Sequence, residues 1–401
     1  MVMRNLKALQ RPLGSALMFI TNGISVGALL PWYPTLKQQA DLSDAVYGFV
    51  VTAVAVGSLL ATFLPAWAER NFGARPVMVV GTVATAILLA TIGFSHSLIS
   101  LVVALMLFGL FDAIIDVSQN VAAVRIQHDV GVSFMSSLHA CWSLGAVLGG
   151  LSATTAAVFG MGLQTHLVII AAVQILLALI AATMMGEVGA PPDESVKATG
   201  NAGDAETTKR SAAITGRALL IALPAAVVAL SGSVVEDIGN NWAPLSANVV
   251  AGVRLEAAGV AYMALFAAHM IGRFAGDVLI NRFGRVPIAR WGGISILLGG
   301  VCVVVDTQPW LLFLGYAFAG WGAATLIPSA YAVSAELPGV AQSTGLTIVS
   351  WIMRAGALLA SPILGVISEL TTLRVALLVL PVIGVAVVVS SQGLRSHQSD
   401  S

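Results

Sequence analysis

Charge is what this sequence has least of. Only 9% of its 401 residues are Asp, Glu, Lys or Arg, where a water-soluble domain carries about 25%. With 58% hydrophobic residues and a mean hydropathy of +0.92, a chain of this length cannot hide its apolar surface from water, so its solvent is lipid. An excess of one sign is missing too. The 19 basic and 19 acidic residues balance, which leaves no basic field for nucleic acid. Cysteine is nearly absent: Cys141 and Cys302 both lie within apolar runs, so neither a disulfide framework nor a cysteine metal site is available, and each reads as a small buried hydrophobe. A Gly-x4-Gly-Lys-Ser/Thr phosphate loop is absent, so primary pumping lacks a motor. The scattered histidines make no nucleophile–base or metal cluster, so no enzyme, metal or cofactor is expected. A receptor would need a sizeable soluble module, and none is visible.

What is present is a series of apolar runs, each long enough to cross a hydrocarbon layer of about 30 Å. Twelve can be counted: 14–36, 45–68, 77–95, 98–121, 134–159 and 165–186, then 217–239, 256–280, 288–305, 309–334, 342–367 and 371–392. They are continuous rather than alternating, which selects helices over barrel strands. The expectation is an all-α membrane protein of twelve transmembrane helices in two six-helix bundles. One long polar stretch, rich in Gly, Pro, Ser, Thr and charge, divides them. The expected domains are therefore 1–186, a flexible linker over 187–213, and 214–401.

Basic residues set the orientation. With the N-terminus in the cytoplasm, Arg4, Lys7, Arg11, Arg70, Arg75, Arg125, Lys197, Lys209, Arg210, Arg217, Arg282, Arg285, Arg290 and Arg395 all fall on that side. The opposite side receives only Lys37, Arg254 and Arg374. This asymmetry supports an even number of spans with both termini inside; a bacterial inner membrane is the expected location. The first run is too long for a signal peptide's apolar core and is read as an uncleaved span.

The halves repeat. Arg70-Asn71-Phe72-Gly73-Ala74-Arg75-Pro76 recurs as Asn281-Arg282-Phe283-Gly284-Arg285-Val286-Pro287, a basic Gly turn leading back into an apolar run. Trp32-Tyr33-Pro34 ends the first span and Trp242-Ala243-Pro244 follows the seventh, 210 residues later. Trp142, Gly145 and Gly149 in the fifth span are matched by Trp351 and Gly356 in the eleventh. Three landmarks at a shared offset indicate parallel six-span repeats, which place a substrate site near the midplane.

A charge at the centre of a span costs about 2.5–3.5 kcal/mol on insertion scales, so each is a functional candidate. Asp112 and Asp116 are four residues apart on one face of the fourth span, extended by Gln119 and Asn120. Two close carboxylates in a low-dielectric cavity repel and lose hydration, which suits Asp116 to proton coupling and Asp112 and Asn120 to substrate; a structural ion pair is the other reading. Arg354 in the eleventh span, on a stripe with Ser350, Ala357 and Ser361, either holds a carboxylate or binds an anionic or hydroxylated substrate. In the seventh span Glu236 lies deeper than Asp237 and is a second candidate for proton or substrate binding. His139 with Trp142 pairs a polar group with an aromatic face suited to sugars, with a packed histidine as the alternative. Asn22 in the first span belongs to the same candidate set. Arg273 and Asp277, four apart in the eighth span, are assigned with Arg70, Arg75, Arg282 and Arg285 to gating, as a charge latch at the Gly turns; for Arg75, membrane anchoring competes.

The turn Gly272-Arg273-Phe274-Ala275-Gly276-Asp277 with its continuation through Pro287 resembles the signature cytoplasmic turn of the major facilitator superfamily. Asp116-Val117-Ser118-Gln119-Asn120, Met135-Ser136-Ser137-Leu138-His139 and Ser143 to Gly149 resemble its rhizopine-transporter-like and fucose-permease-like branch. The resemblance covers nearly the whole chain. It implies a monomeric secondary transporter working by alternating access, with a small-molecule substrate, protons and membrane lipid as partners. In sugar symporters of this kind, acids in the first and fourth helices serve sugar binding and proton coupling. Asp112 or Asp116 matches the fourth-helix position, whereas the first span offers only Asn22. Asn281 stands where the superfamily turn usually has Asp, and an extra residue separates Glu69-Arg70 from Gly73. Segment Ser143 to Gly150 lacks the proline of many drug antiporters. Import of a sugar or polyol with a proton is the expected function, and proton-driven export of a lipophilic compound is the alternative.

Overall fold

Backbone amides have no partner in hydrocarbon, so a chain dissolved in lipid must satisfy them within each segment. The computed structural model does this with helices. It describes residues 2–62, 64–130, 134–186, 188, 216–305, 308–334, 337 and 342–394. The linker expected over 187–213 lies, except for Val188, outside the described residues. So do Arg395 and the side chains of Arg4, Lys7, Arg217 and Asp277. In chain order the helices are α1 (Val2–Leu29), α2 (Tyr33–Gln39), α3 (Asp44–Leu60), α4 (Leu64–Phe72), α5 (Ala74–Gly93), α6 (Leu98–Val130), α7 (Met135–Val158), α8 (Leu163–Met185), α9 (Gly216–Asn241), α10 (Ala243–Val249), α11 (Gly259–Phe283), α12 (Arg285–Val305), α13 (Pro309–Ala323), α14 (Leu326–Ser334), α15 (Gln342–Leu370), α16 (Leu373–Ala376) and α17 (Val379–Ser390).

Among the described residues, eleven segments are long and apolar enough to cross a membrane, and twelve if α3 and α4, bent by 51°, form one span. All but one lie within a few residues of the twelve apolar runs. One boundary differs substantively. The fourth run was expected to end at 121, but α6 continues to Val130. Arg125 is therefore helical, and its guanidinium lies 3.5 Å from Glu69 on α4. An ion pair holds polar sequence in helix where hydropathy alone ends the span.

The described residues form two compact units. The first runs to Trp32 and resumes at Ala53; the second takes Tyr33–Thr52 together with the described chain from α9 onward. Sequence order assigns 33–52 to the first half, yet by packing it belongs with α9, α10 and α15.

Within the first unit, α1 and α7 approach until backbones touch. A Cβ on Gly23 or Gly27 would lie 2.1 Å from the Trp142 carbonyl or 2.0 Å from that of Ala146, and one on Gly145 or Gly149 2.2 Å from Ile20 or 2.4 Å from Ile24. Helices in lipid lack a hydrophobic drive to associate, so small residues four apart supply the contact area. This contact brings Asn22 and Trp142 together.

The two Gly turns are copies in geometry as well as sequence. Gly73 has φ 82° and ψ 155°, and Gly284 φ 87° and ψ 162°, a region open essentially only to glycine. Each N–H closes the preceding helix, on Glu69 at 2.9 Å and on Ile280 at 2.7 Å. Each is followed three residues on by a proline in the new helix's first turn, where its missing N–H costs nothing. Gly73→Ala and Gly284→Ala should each destabilise the purified protein by about 1–3 kcal/mol, read as a lower thermal midpoint. Unchanged midpoints in both would show that these turns carry no backbone constraint.

Candidate functional site

In the first unit, three helices supply one polar cluster. Asn22 of α1, 5% exposed, donates from Nδ2 to Asp112 Oδ1 of α6 at 2.8 Å. Its Oδ1 accepts the indole N–H of Trp142 of α7 at 2.6 Å. The indole can only donate, so it fixes the amide's orientation and aims the NH2 at the carboxylate. Asp112 is thus held within a span by a neutral donor, with no basic side chain within 4.0 Å among the described residues. One turn along, Asp116 is exposed. It accepts from Gln119 Nε2 at 3.4 Å and from Asn120 Nδ2 at 3.2 Å, and Asn120 also donates to the Asp116 carbonyl. His139 is exposed beside them, with its ring edge-on to Phe19 at 5.5 Å, and it interacts electrostatically with Asp116. Buried Phe19, Ala123 and Leu138 back this wall.

At the far end of α1, Trp32 donates to His166 Nδ1 at 3.0 Å. His166 Nε2 lies 3.2 Å from Ser152 Oγ, and Ser152 donates to the Gly149 carbonyl. An accepting Nδ1 requires the proton on Nε2, so this ring is neutral and points its N–H at Ser152.

The second unit separates two adjacent acids. Glu236 faces α11, where Arg273 Nη2 lies 2.9 Å and His269 Nε2 3.2 Å from its Oε1. Asp237 faces α15. It accepts from Ser361 Oγ at 2.6 Å and from Asn241 Nδ2 at 2.8 Å. Ser361 Oγ in turn accepts from Trp242 Nε1 at 3.0 Å and Asn241 Nδ2 at 3.1 Å. The Tyr47 hydroxyl of α3 donates to the Asn241 carbonyl, and its ring meets Trp242 edge-on at 5.1 Å. Further along α15, Glu369 accepts the Ala45 N–H at 2.9 Å, Ser368 donates to Asp44, and Lys37 pairs with Asp44 at 3.0 Å.

Arg354 is exposed and donates to Ser350 Oγ, at 3.4 Å on its own helix. No carboxylate lies within 4.0 Å of it among the described residues. Of the residues expected at a gate, Arg70 and Arg75 flank Gly73 and Arg282 and Arg285 flank Gly284, all without an acidic partner among the described residues. Arg282 stacks over Phe283 at 5.2 Å. Arg273, expected with them, is drawn to Glu236 instead, and the Asp277 side chain lies outside the described set.

Sequence reasoning gathered Asn22, Asp112, Asp116, Asn120, His139 and Trp142, and the structure brings these into one unit. Asn22, standing where the resemblance leads one to expect an acid, contacts Asp112 directly. Asp237, Glu69 and His166 were not singled out. A signal existed for the first of these: Ser361 follows Ser152 at nearly the offset separating Trp242 from Trp32, so the repeat itself marks both indole–serine sites.

The chain is 25% identical over 387 residues to the uncharacterized transporter y4wD of Sinorhizobium fredii, covering 95% of this chain and 97% of that one. Its fold matches the nucleoside transporter NupG (D323A mutant) with a TM-score of 0.76 at 12% identity, covering 97% and 99% of the two chains. It matches a D-xylose-proton symporter with a TM-score of 0.74 at 12% identity over 96% of each. At such identities the structures establish the fold alone. Residues 15–305 match the Major Facilitator Superfamily, and with most of its length inside that match the chain belongs to this family of transporters, which are not enzymes.

Proposed function

We propose that the protein moves a small polar solute, of sugar or polyol type, by alternating access with proton symport. The observation that carries this reading is Asp112, a carboxylate in a span held by the neutral amide of Asn22 rather than by a cation. An acid satisfied by neutral donors can take and release a proton without stranding a buried arginine. Asp116, more exposed and beside His139, is the group that exchanges the proton with water. Trp142 keeps a ring face for a sugar while its N–H is committed to Asn22. Arg354, with no carboxylate partner among the described residues, supplies a charged donor for a hydroxylated or anionic group of the solute. Glu236 is a second proton or substrate group, restrained by Arg273 and His269. Arg70, Arg75, Arg282 and Arg285, with Arg273 and Asp277, form the gate region.

The working form is a monomer of two six-helix halves, 1–186 and 214–401, tethered by 187–213. It sits in a bacterial inner membrane with both termini cytoplasmic. The basic residues of the first half's turn, Arg70 and Arg75, and those of the second, Arg282 and Arg285, support that orientation. A membrane potential of about 100 mV contributes about 2.3 kcal/mol per transported charge, sufficient for accumulation without ATP.

A thermal-stability screen of the detergent-purified protein tests the substrate class, setting sugars, polyols and inositol-like compounds against lipophilic cations and antibiotics. A ligand at about 100 times its Kd adds about 2.7 kcal/mol to the folded state. A polyhydroxylated compound should give that stabilisation; stabilisation by lipophilic compounds alone would point to proton-driven efflux instead. Asp116→Asn should abolish proton-driven accumulation while solute exchange persists, and full accumulation would remove Asp116 from coupling. Arg354→Ala should weaken solute affinity by about 1.5–3 kcal/mol, the worth of a charge-assisted hydrogen bond. Normal affinity would make Arg354 structural.

A further inference from the structure

The geometry points to Asp237 as a second proton-binding site, one whose proton sets whether the segment 33–52 stays docked on α9 and α15. This goes beyond the proposed coupling at Asp112 and Asp116 and does not depend on the identity of the solute.

A carboxylate only accepts, and Asp237 uses one oxygen for the Ser361 hydroxyl and the other for the Asn241 amide. Ser361 has a single proton, given to Asp237, and its oxygen takes N–H groups from Trp242 and Asn241. The charged form of Asp237 is therefore the acceptor that orients every other member of the cluster.

A proton on Asp237 weakens this arrangement wherever it goes, because the bonds from Ser361 and Asn241 cease to be charge-assisted. Directed at Asn241 it sets donor against donor and turns the amide away; directed at Ser361 it deprives the hydroxyl of its acceptor and displaces Trp242 or Asn241. Either change falls on the last turn of α9, whose final carbonyl, that of Asn241, holds Tyr47. Tyr47 is 2% exposed and packs between Trp242 and Tyr33, whose ring lies 6.4 Å away. The next residue, Gly48, rests on α15 so closely that a Cβ there would lie 2.3 Å from the Ser361 carbonyl oxygen. The start of α3 thus stands on the very residues whose bonds the proton rearranges.

Among the described residues, no cation lies within 4.0 Å of the carboxylate. The titratable groups facing it are Tyr33 and Tyr47, both in electrostatic contact with it, with Asp44 beyond Tyr47 and paired with Lys37. On α15, Arg354 lies about two turns to one side with Ser350 and Glu369 about two turns to the other at Ala45. On α11, His269 and Arg273 are taken by Glu236. Between α10 and α13, Ser246 and Tyr316 bond to each other.

Amide hydrogen exchange of the full chain in lipid nanodiscs, followed across a pH series and corrected for intrinsic rates, tests the proposal. In the wild type, protection over 33–52 should fall about tenfold on acidification, the effect of one lost hydrogen bond. Asp237→Asn should show the low protection at every pH, and its acid-minus-alkaline infrared difference spectrum should lose a carboxylic C=O component. Asp112→Asn should keep the wild-type profile, so failure here and failure of the coupling proposal are separately visible. Should Asp237→Asn not fold, Tyr47→Phe, which removes only the hydroxyl, should give the same flat profile. A pH-independent wild type, or a wild-type profile in Asp237→Asn or Tyr47→Phe, would overturn the proposal.

Discussion

An ionisable group inside an apolar span must be answered by a partner or by water, and the partners chosen here sort the charged residues by role. Glu236 is answered by Arg273, and Glu69 by Arg125. Breaking such pairs strands a charge, so they restrain geometry. Asp112 and Asp237 are answered by amides and a hydroxyl. Neither acid would leave a cation behind on protonation, which is why we propose them as groups that change protonation state. Arg354 is the converse, a cation whose described partner is a serine on its own helix.

Duplication explains where these groups sit. The two Gly turns share backbone angles as well as sequence. At the ends of α1 and α9, an indole N–H is tied down in each unit, Trp32 on His166 and Trp242 on Ser361. The copies then diverge. In the first unit a neutral histidine stands between tryptophan and serine, and in the second the serine is met by a carboxylate.

The fold was legible because lipid imposes a simple rule. Continuous apolar runs of about 20 residues have to be helices, and all but the fourth ended within a few residues of the expected place. The extension of α6 to Val130 was not legible, since it depends on Arg125 meeting Glu69 from another helix. Rarity is what singled out Asp112, Asp116 and Arg354 as candidates. Pairing was not legible. Glu236 and Asp237 are neighbours in sequence, and the rotation of about 100° per residue sends one to α11 and the other to α15. Periodicity says that they diverge but cannot say what each will meet. For the same reason Asn22, read as a weak stand-in for a missing acid, turned out to be the residue that holds Asp112.

The central claim is that solute and proton move together. It is tested most directly by reconstituting the protein in liposomes loaded with a pH-sensitive dye and adding, from outside, the compound that most stabilises the purified protein. The account predicts acidification of the lumen on adding a polyhydroxylated solute, lost in Asp116→Asn. Entry of that solute with no change in internal pH, or alkalinisation driven only by lipophilic compounds, would contradict it.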